Sequence, residues 1–328
     1  MKAISVALHG ANNYESAERL RQQASQPLTL TSIPDDVGGD ALRRCVENVD
    51  VLITNKWNTD IKHLSGLRLL QVNAAGYDQI DLDCLPRTTA VCRADGHGPG
   101  IAEYILGAML ASSHAMMPAD RTLRLGQWRY RGLYYRPLRR ELSASTLGII
   151  GYGAIGQALA AKAGPLLDRV VALSRSNPSD PNLTKWYEPD ALSELLAVSD
   201  YVAVCLPLTP QTLGMIGAAQ LAVMKKTAVI INVGRGPIID EHALYSALES
   251  GMIGGAVLDV WWNYPARAGD VTYPSARPFH KLENVVLTPH ISGWSEQILE
   301  RRWKIIAQNV EAVMRGGELS GIVLPARA

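Results

Sequence analysis

From Ser145 the chain runs Ser-Thr-Leu-Gly-Ile-Ile straight into Gly151-Tyr152-Gly153-Ala154-Ile155-Gly156, and then into the helical pattern Gln-Ala-Leu-Ala-Ala-Lys-Ala-Gly-Pro-Leu-Leu. No other stretch constrains the fold as much. A glycine triplet with this spacing counts for little alone. It gains meaning between a strand and a helix, with another β-branched strand, Val170–Leu173, closing the unit. Gly151 permits a tight turn, Gly153 lets a pyrophosphate approach the backbone, and Gly156 lets helix and strand pack closely. Ala154 and Ile155 open the helix, whose N-terminal N–H groups and positive dipole end suit an anion. The pattern predicts a Rossmann βαβ unit that binds a dinucleotide.

The end of the second strand bears on which dinucleotide. Versions that bind NAD place Asp or Glu there to accept from the ribose hydroxyls. Here the residues are Ser174-Arg175-Ser176. A guanidinium between two hydroxyls suits a 2′-phosphate, which a carboxylate would repel. NADP(H) is favoured, with NAD(H) left open.

Strands alternate with helical patterns on both sides of this motif, which argues for parallel, doubly wound α/β architecture. Before it, Ala3–Leu8, Leu28–Ser32, Val51–Thr54, Leu69–Asn73 and Thr89–Cys92 read as strands, and Glu15–Gln23 and Ala41–Asn48 as helices. After it come Tyr201–Val204, Ala228–Asn232, Gly255–Leu258 and Val285–Thr288. Ile101–Met117 reads as one buried helix rather than a membrane span, because Glu103 and His114 interrupt it. The arginine-rich stretch Asp120–Ser145, with its Tyr-rich turns, shows little periodicity and reads as an extended arm or a solvated loop. A last amphipathic helix, Glu296–Arg315, cannot form a domain alone and is expected to pack back on the first domain. The expected division is 1–100 plus 291–328 for one domain and 101–290 for the dinucleotide domain.

At 328 residues the chain is long enough for two cores. Its 32 basic and 31 acidic side chains nearly cancel, and no Lys/Arg block stands out, so neither nucleic acid nor an anionic membrane is expected as a partner. The four cysteines have no Cys-x-x-Cys spacing, and the N-terminus lacks the apolar length of a signal peptide. A reducing, cytoplasmic setting is expected, with no metal site.

An ordered set of further motifs carries a resemblance over nearly the whole length. The set is Ala74-Ala75-Gly76-Tyr77-Asp78, Ala102-Glu103, Thr146 to Gly151, Leu206-Pro207-Leu208-Thr209, Ile231 to Gly236, Leu258-Asp259-Val260 and Thr288-Pro289-His290. In these the chain resembles the D-isomer-specific 2-hydroxyacid dehydrogenases. The resemblance implies a Rossmann domain inserted in a split flavodoxin-like substrate domain, a homodimer, and reduction of a small anionic 2-keto acid to a D-2-hydroxy acid. It implies that Arg235 holds the carboxylate and polarises the carbonyl, and that His290 is the acid/base. Backbone N–H groups at Ala75 and Gly76 would hold the other end of the carboxylate. Leu206, Pro207, Thr212, Val233 and Gly234 would line the cofactor, with Asp259 facing the nicotinamide carboxamide. His97, in a glycine-rich loop where the family contacts substrate, reads equally as a contact or a plain loop residue.

The chain departs from the family at one position. An acidic residue is expected just before a proline, 29 positions after the arginine, and Tyr264 stands there. A phenol can orient an imidazole but cannot stabilise imidazolium as a carboxylate does. Three readings stay open. Tyr264 orients His290; or the chain resembles the formate-dehydrogenase branch, whose partner is a neutral amide and whose reaction exchanges no hydroxyl proton; or another carboxylate, such as Asp95, enters the site. A non-enzymatic dinucleotide sensor is the rival from outside catalysis. Trp261 and Trp262, beside this motif, read as core or as pocket walls.

Overall fold

The computed structural model describes residues 3–10, 13–132, 138–266 and 269–326. The chain divides into two compact units, one built from residues 1–97 and 295–328, the other from 98–294.

The first unit opens with five strands: β1 (Ile4–His9), β2 (Leu28–Ile33), β3 (Val51–Thr54), β4 (Leu69–Val72) and β5 (Ala90–Arg93). Helices α1 (Asn13–Gln23) and α2 (Gly39–Val46) lie between the first three. These strands pair in parallel in the order β2-β1-β3-β4-β5, the flavodoxin-like order. β3 and β4 are buried at every position, as strands covered on both faces must be.

The chain then enters the second unit with α3 (Gly98–Ser113) and α4 (Met116–Arg124). It continues through β6 (Thr146–Ile150), α5 (Ala154–Ala163), β7 (Arg169–Leu173), β8 (Lys185–Tyr187), α6 (Leu192–Val198), β9 (Tyr201–Val204) and α7 (Ala218–Ala222). β10 (Val229–Asn232), α8 (Glu241–Glu249), β11 (Gly255–Leu258) and β12 (Val285–Leu287) complete it. All seven strands are parallel, in the order β12-β11-β10-β9-β6-β7-β8. The order reverses between β6 and β9, which is the dinucleotide-binding topology. One apolar cluster joins α3 and α5 to the sheet through Ile105, Met109, Leu159 and Ile149. Another joins α6, α7 and α8 to it through Leu195, Leu221, Leu244 and Ile230.

Back in the first unit, α9 (Glu296–Arg315) starts from a Ser295 cap, whose side chain accepts from Ile298 N, and stops at Gly316 in the left-handed region. Trp303, Ile306 and Val310 on its apolar face pack with Leu20 of α1 and with the β1 and β3 side chains. β13 (Ile322–Leu324) then pairs antiparallel with β5 at the sheet edge.

The two units share one local device. Asp50 N–H donates to Ser5 O and the Asp50 carboxylate accepts from Ser5 N; Asp200 and Thr146 repeat this pair of bonds in the second unit. Each aspartate locks the start of the unit's first strand to the strand that flanks it across the switch point.

Two expectations need correction. The helix expected over Ile101–Met117 breaks at Ala115, which adopts φ +50°, and a second helix carries the chain to Arg124. The arm expected from Asp120 is therefore helical at its start. Pro118 sits in the first turn of α4, where its missing N–H costs nothing, and Arg124 pairs with Asp120 one turn away at 2.8 Å. Of the Tyr-rich turns, Tyr134 and Tyr135 lie outside the described residues. The three-residue edge strands β8 and β13 were not foreseen, being too short to show a period.

Candidate active site

β6 ends at Gly151, whose φ of +99° only glycine adopts without strain. A Cβ there would also meet Leu206 Cδ2 at 2.8 Å, and one at Gly156 would meet Gly151 O at 2.6 Å. A Cβ at Gly153 would meet nothing within 4 Å. The three glycines thus serve turn, open face and close packing, in that order. Gly153 caps α5 without any side-chain hydrogen bond, and the first-turn N–H groups of such a helix, at Ala154 and Ile155, suit an anion. The facing loop after β9 is knitted by Thr212, whose hydroxyl donates to Pro207 O at 2.7 Å and accepts from Thr209 N at 2.8 Å. Leu206 and Pro207 precede that knot. Cys205, just before them, is half-buried, and desolvation pushes its thiol up to about 12.

At the end of β7 the Ser174 hydroxyl donates to Ser176 O at 2.7 Å and accepts from Trp186 Nε1 at 2.9 Å. It is committed inside the turn rather than offered outward. Arg175 and Ser176 are exposed. Trp186 lies on β8, so its part in shaping this turn could not be read from a sequence that gave no sign of that strand.

Arg235 follows β10 in a turn closed by Asn232. The Asn232 side chain accepts from Gly234 N at 3.1 Å and donates to Arg235 O at 3.0 Å. Val233 and Gly234 are buried, and a Cβ at Gly234 would lie 2.5 Å from Leu206 O. A Cβ at Gly236 would overlap the carbonyl of Trp261. The guanidinium is half-buried, and its Nη1 donates to Gly234 O at 2.8 Å. Flanking glycines and a buried amide therefore fix the backbone of this cation.

His290 adopts the left-handed backbone, φ +59°, unusual for a non-glycine residue. Asp259, fully buried at the end of β11, holds it there: its carboxylate accepts from Ile291 N (2.8 Å), Ser292 N (2.9 Å) and the Thr288 hydroxyl (2.6 Å). Tyr104 reaches the same Thr288 hydroxyl at 2.5 Å. Burial dominates in raising the Tyr104 phenol to about 12. The Asp259 carboxylate thus anchors the histidine loop, a role that its motif did not reveal.

Tyr264 meets His290 within this unit. Its hydroxyl lies 3.0 Å from His290 Nδ1 and accepts from Trp261 N at 3.2 Å. A hydroxyl has one proton and two lone pairs. It can accept from Nδ1–H, or donate to a bare Nδ1 and leave the proton on Nε2. Both rings are exposed. Trp261 and Trp262 are core: Trp261 is buried with its N–H on Thr288 O (2.8 Å), and Trp262 stacks on Phe279 with its N–H on Ile239 O (3.1 Å).

In the first unit, Ala75 and Gly76 leave the C-terminal end of β4, and Ala94 N–H donates to Ala74 O at 3.0 Å. Asp95 lies 3.6 Å from Arg93. His97 is buried beyond Gly96, whose carbonyl accepts from Arg301 Nε at 2.8 Å. Among the described residues no His, Cys, Asp and Glu side chains group as a metal site, and no helix is long and apolar enough to cross a membrane.

Comparison with known proteins gives a consistent result. Residues 106–292 match the family profile described as D-isomer specific 2-hydroxyacid dehydrogenase, NAD binding domain. A glyoxylate reductase of Pyrococcus furiosus is 32% identical over 86% of this chain and 84% of its own. A D-3-phosphoglycerate dehydrogenase of Methanocaldococcus jannaschii is 31% identical over 94% of this chain and 57% of its own. A D-isomer specific 2-hydroxyacid dehydrogenase of Xanthobacter autotrophicus, solved with NADPH and MES, superposes with a TM-score of 0.80 at 25% identity, covering 98% of both chains.

Proposed function

The chain belongs to the D-isomer specific 2-hydroxyacid dehydrogenase family and is a nicotinamide-dependent reductase of that kind, and from this premise we propose that it reduces a small 2-keto acid with NADPH in preference to NADH. Glyoxylate, hydroxypyruvate or an arylpyruvate is the substrate class. The observation that carries the chemistry is the 3.0 Å contact between Tyr264 and His290 on a histidine loop clamped by Asp259.

When bound, the dihydronicotinamide supplies the hydride. Arg235 binds the substrate carboxylate by charge-assisted hydrogen bonds and polarises the carbonyl. His290 gives its Nε2 proton to the carbonyl oxygen, while the Tyr264 hydroxyl accepts from Nδ1–H, which stays in place as the imidazolium becomes neutral imidazole. Gly151, Gly153, Ala154, Ile155 and Gly156 hold the pyrophosphate at the α5 N-terminus, with Leu206, Pro207, Thr212, Val233 and Gly234 along the cofactor.

NADPH preference rests on exposed Arg175, with the hydroxyl of Ser176; Ser174 acts only by shaping the turn. The reading includes a homodimer, for which exposed Leu110 on α3, Met116, Met117 and Leu123 on α4, and Leu125 and Trp128 just after it offer apolar surface. It also includes a cytoplasmic location, to which four unpaired cysteines are suited.

Arg235→Ala is expected to lower kcat/KM for the keto acid by about a thousandfold while NADPH still binds. Retention of full activity would remove the assigned role. Arg175→Ala is expected to weaken NADPH far more than NADH, and equal loss for both would end the phosphate argument.

A further inference from the structure

The glycine loop carries a side chain that dinucleotide binding by backbone N–H groups does not require. Tyr152 stands between the first two glycines and is 8% exposed, yet its hydroxyl donates to Asp180 Oδ2 at 2.9 Å. Its ring packs against the third glycine, where a Cβ on Gly156 would come within 3.3 Å of Tyr152 Cδ2. The other Asp180 oxygen accepts from Asn182 N at 2.9 Å and Asn182 Nδ2 at 2.8 Å. The Asn182 N–H first, and then the Tyr152 hydroxyl, hold the Asp180 carboxyl below its usual range. Burial and the neighbouring carboxylate raise the phenol. At neutral pH the bond therefore runs from a phenol to a carboxylate, the stronger kind.

Asp180 belongs to the connection between β7 and β8, which also carries Arg175 and Ser176. Trp186, at the far end of that connection, donates to Ser174 O at 3.1 Å and Ser174 Oγ at 2.9 Å. The connection is thus tied at its base by one bond system and to the glycine loop by another. A ligand that touches two loops gains from both only when their spacing is fixed beforehand.

We propose that the Tyr152–Asp180 hydrogen bond is a latch that positions the cofactor, holding the connection that meets the adenosine ribose in register with the loop that meets the pyrophosphate. This rests on the function proposed above. Tyr152 and Asp180 are positioning residues, acting through Arg175 and the glycine-loop N–H groups.

Tyr152→Phe keeps the ring against Gly156 and deletes only the donor. It is expected to raise the NADPH dissociation constant about tenfold, while kcat at saturating cofactor stays within about twofold. Asp180→Ala is expected to do the same, and the double variant to lose no more than either single one. Asp180→Asn keeps an acceptor and is expected to recover most of the affinity. Dissociation constants within about twofold of the unaltered protein in every variant, whatever the melting temperature does, would overturn the latch. So would single losses that multiply in the double variant. An unaltered protein that binds neither NADPH nor NADH would defeat the proposed function and the latch with it. Normal binding with insensitive variants would defeat the latch alone.

Discussion

Replacing Tyr264 with glutamate turns the one departure from the family into a measurement. The hydroxyl lies 3.0 Å from His290 Nδ1 and takes Trp261 N–H at 3.2 Å. A carboxylate at the same place can accept both donors, so the local fold is kept while a charge is added. Two unit charges about 4 Å apart interact by about 1 kcal/mol in water and about 4 kcal/mol at the effective dielectric of a protein surface. Tyr264 is 48% exposed, which puts the expected value at about 2 kcal/mol. At 1.36 kcal/mol per pH unit this is a shift of about 1.5 units. The direction follows from the chemistry: reduction needs a protonated histidine, and a carboxylate favours imidazolium. The alkaline limb of kcat/KM for keto-acid reduction should therefore move to higher pH by about 1.5 units in Tyr264→Glu. Tyr264→Phe should lose about fivefold in rate, the worth of one ordinary hydrogen bond, with the limb displaced far less. Initial rates of NADPH oxidation across a pH series in buffers of constant ionic strength supply the assay. A limb that does not move in a folded Tyr264→Glu variant would refute the assignment of His290 as the proton donor.

Other outcomes follow from single residues. Asp259→Ala leaves Ile291 N and Ser292 N without their acceptor and frees His290 from its left-handed backbone. It is expected to cost about 3 kcal/mol in denaturant unfolding and about a hundredfold in kcat, and a variant with unchanged kcat would show that the anchor does not serve catalysis. Gly236→Ala pushes a methyl into the Trp261 carbonyl. It should destabilise by about 2 kcal/mol and raise KM for the keto acid more than KM for the cofactor, and equal changes in the two KM values would count against Arg235 as the displaced group. Thiol labelling at mildly alkaline pH should find Cys45 fast, being exposed, and Cys84 slow, its thiol raised by the hydrogen bond to Asp81. Cys92 and Cys205, pushed by burial to about 11 and about 12, hold almost no thiolate and should label only on unfolding. More than two labelled thiols in the folded protein would contradict this.

The fold was legible where physics repeats along the chain. Parallel strands buried on both faces leave β-branched runs such as Val51–Thr54 and Tyr201–Val204, and those runs are strands. The glycine spacing carried the Rossmann turn because φ, open space and close packing each demand a residue without a side chain. What escaped was local and unrepeated. β8 and β13 are three residues long, and the left-handed residue at the break between α3 and α4 is an alanine rather than a glycine. Arg235, His290 and Tyr264 stood out in the sequence only through the family resemblance, and the structure brings Tyr264 to His290. Their supports did not stand out: Asn232 folding back on Arg235, and Asp259 clamping the backbone around His290, are contacts made through space. The two hydroxyls read as flanking Arg175 are also unequal, because a strand that the sequence did not reveal brings Trp186 onto Ser174.

The most direct test of the central claim is the rate of NADPH and NADH oxidation by the unaltered protein with glyoxylate, hydroxypyruvate and phenylpyruvate, from mildly acidic to mildly alkaline pH. Turnover is expected with at least one of these acids, faster with NADPH, and falling as pH rises through the point where His290 loses its proton. Tight cofactor binding with no turnover of any 2-keto acid at any pH would contradict it.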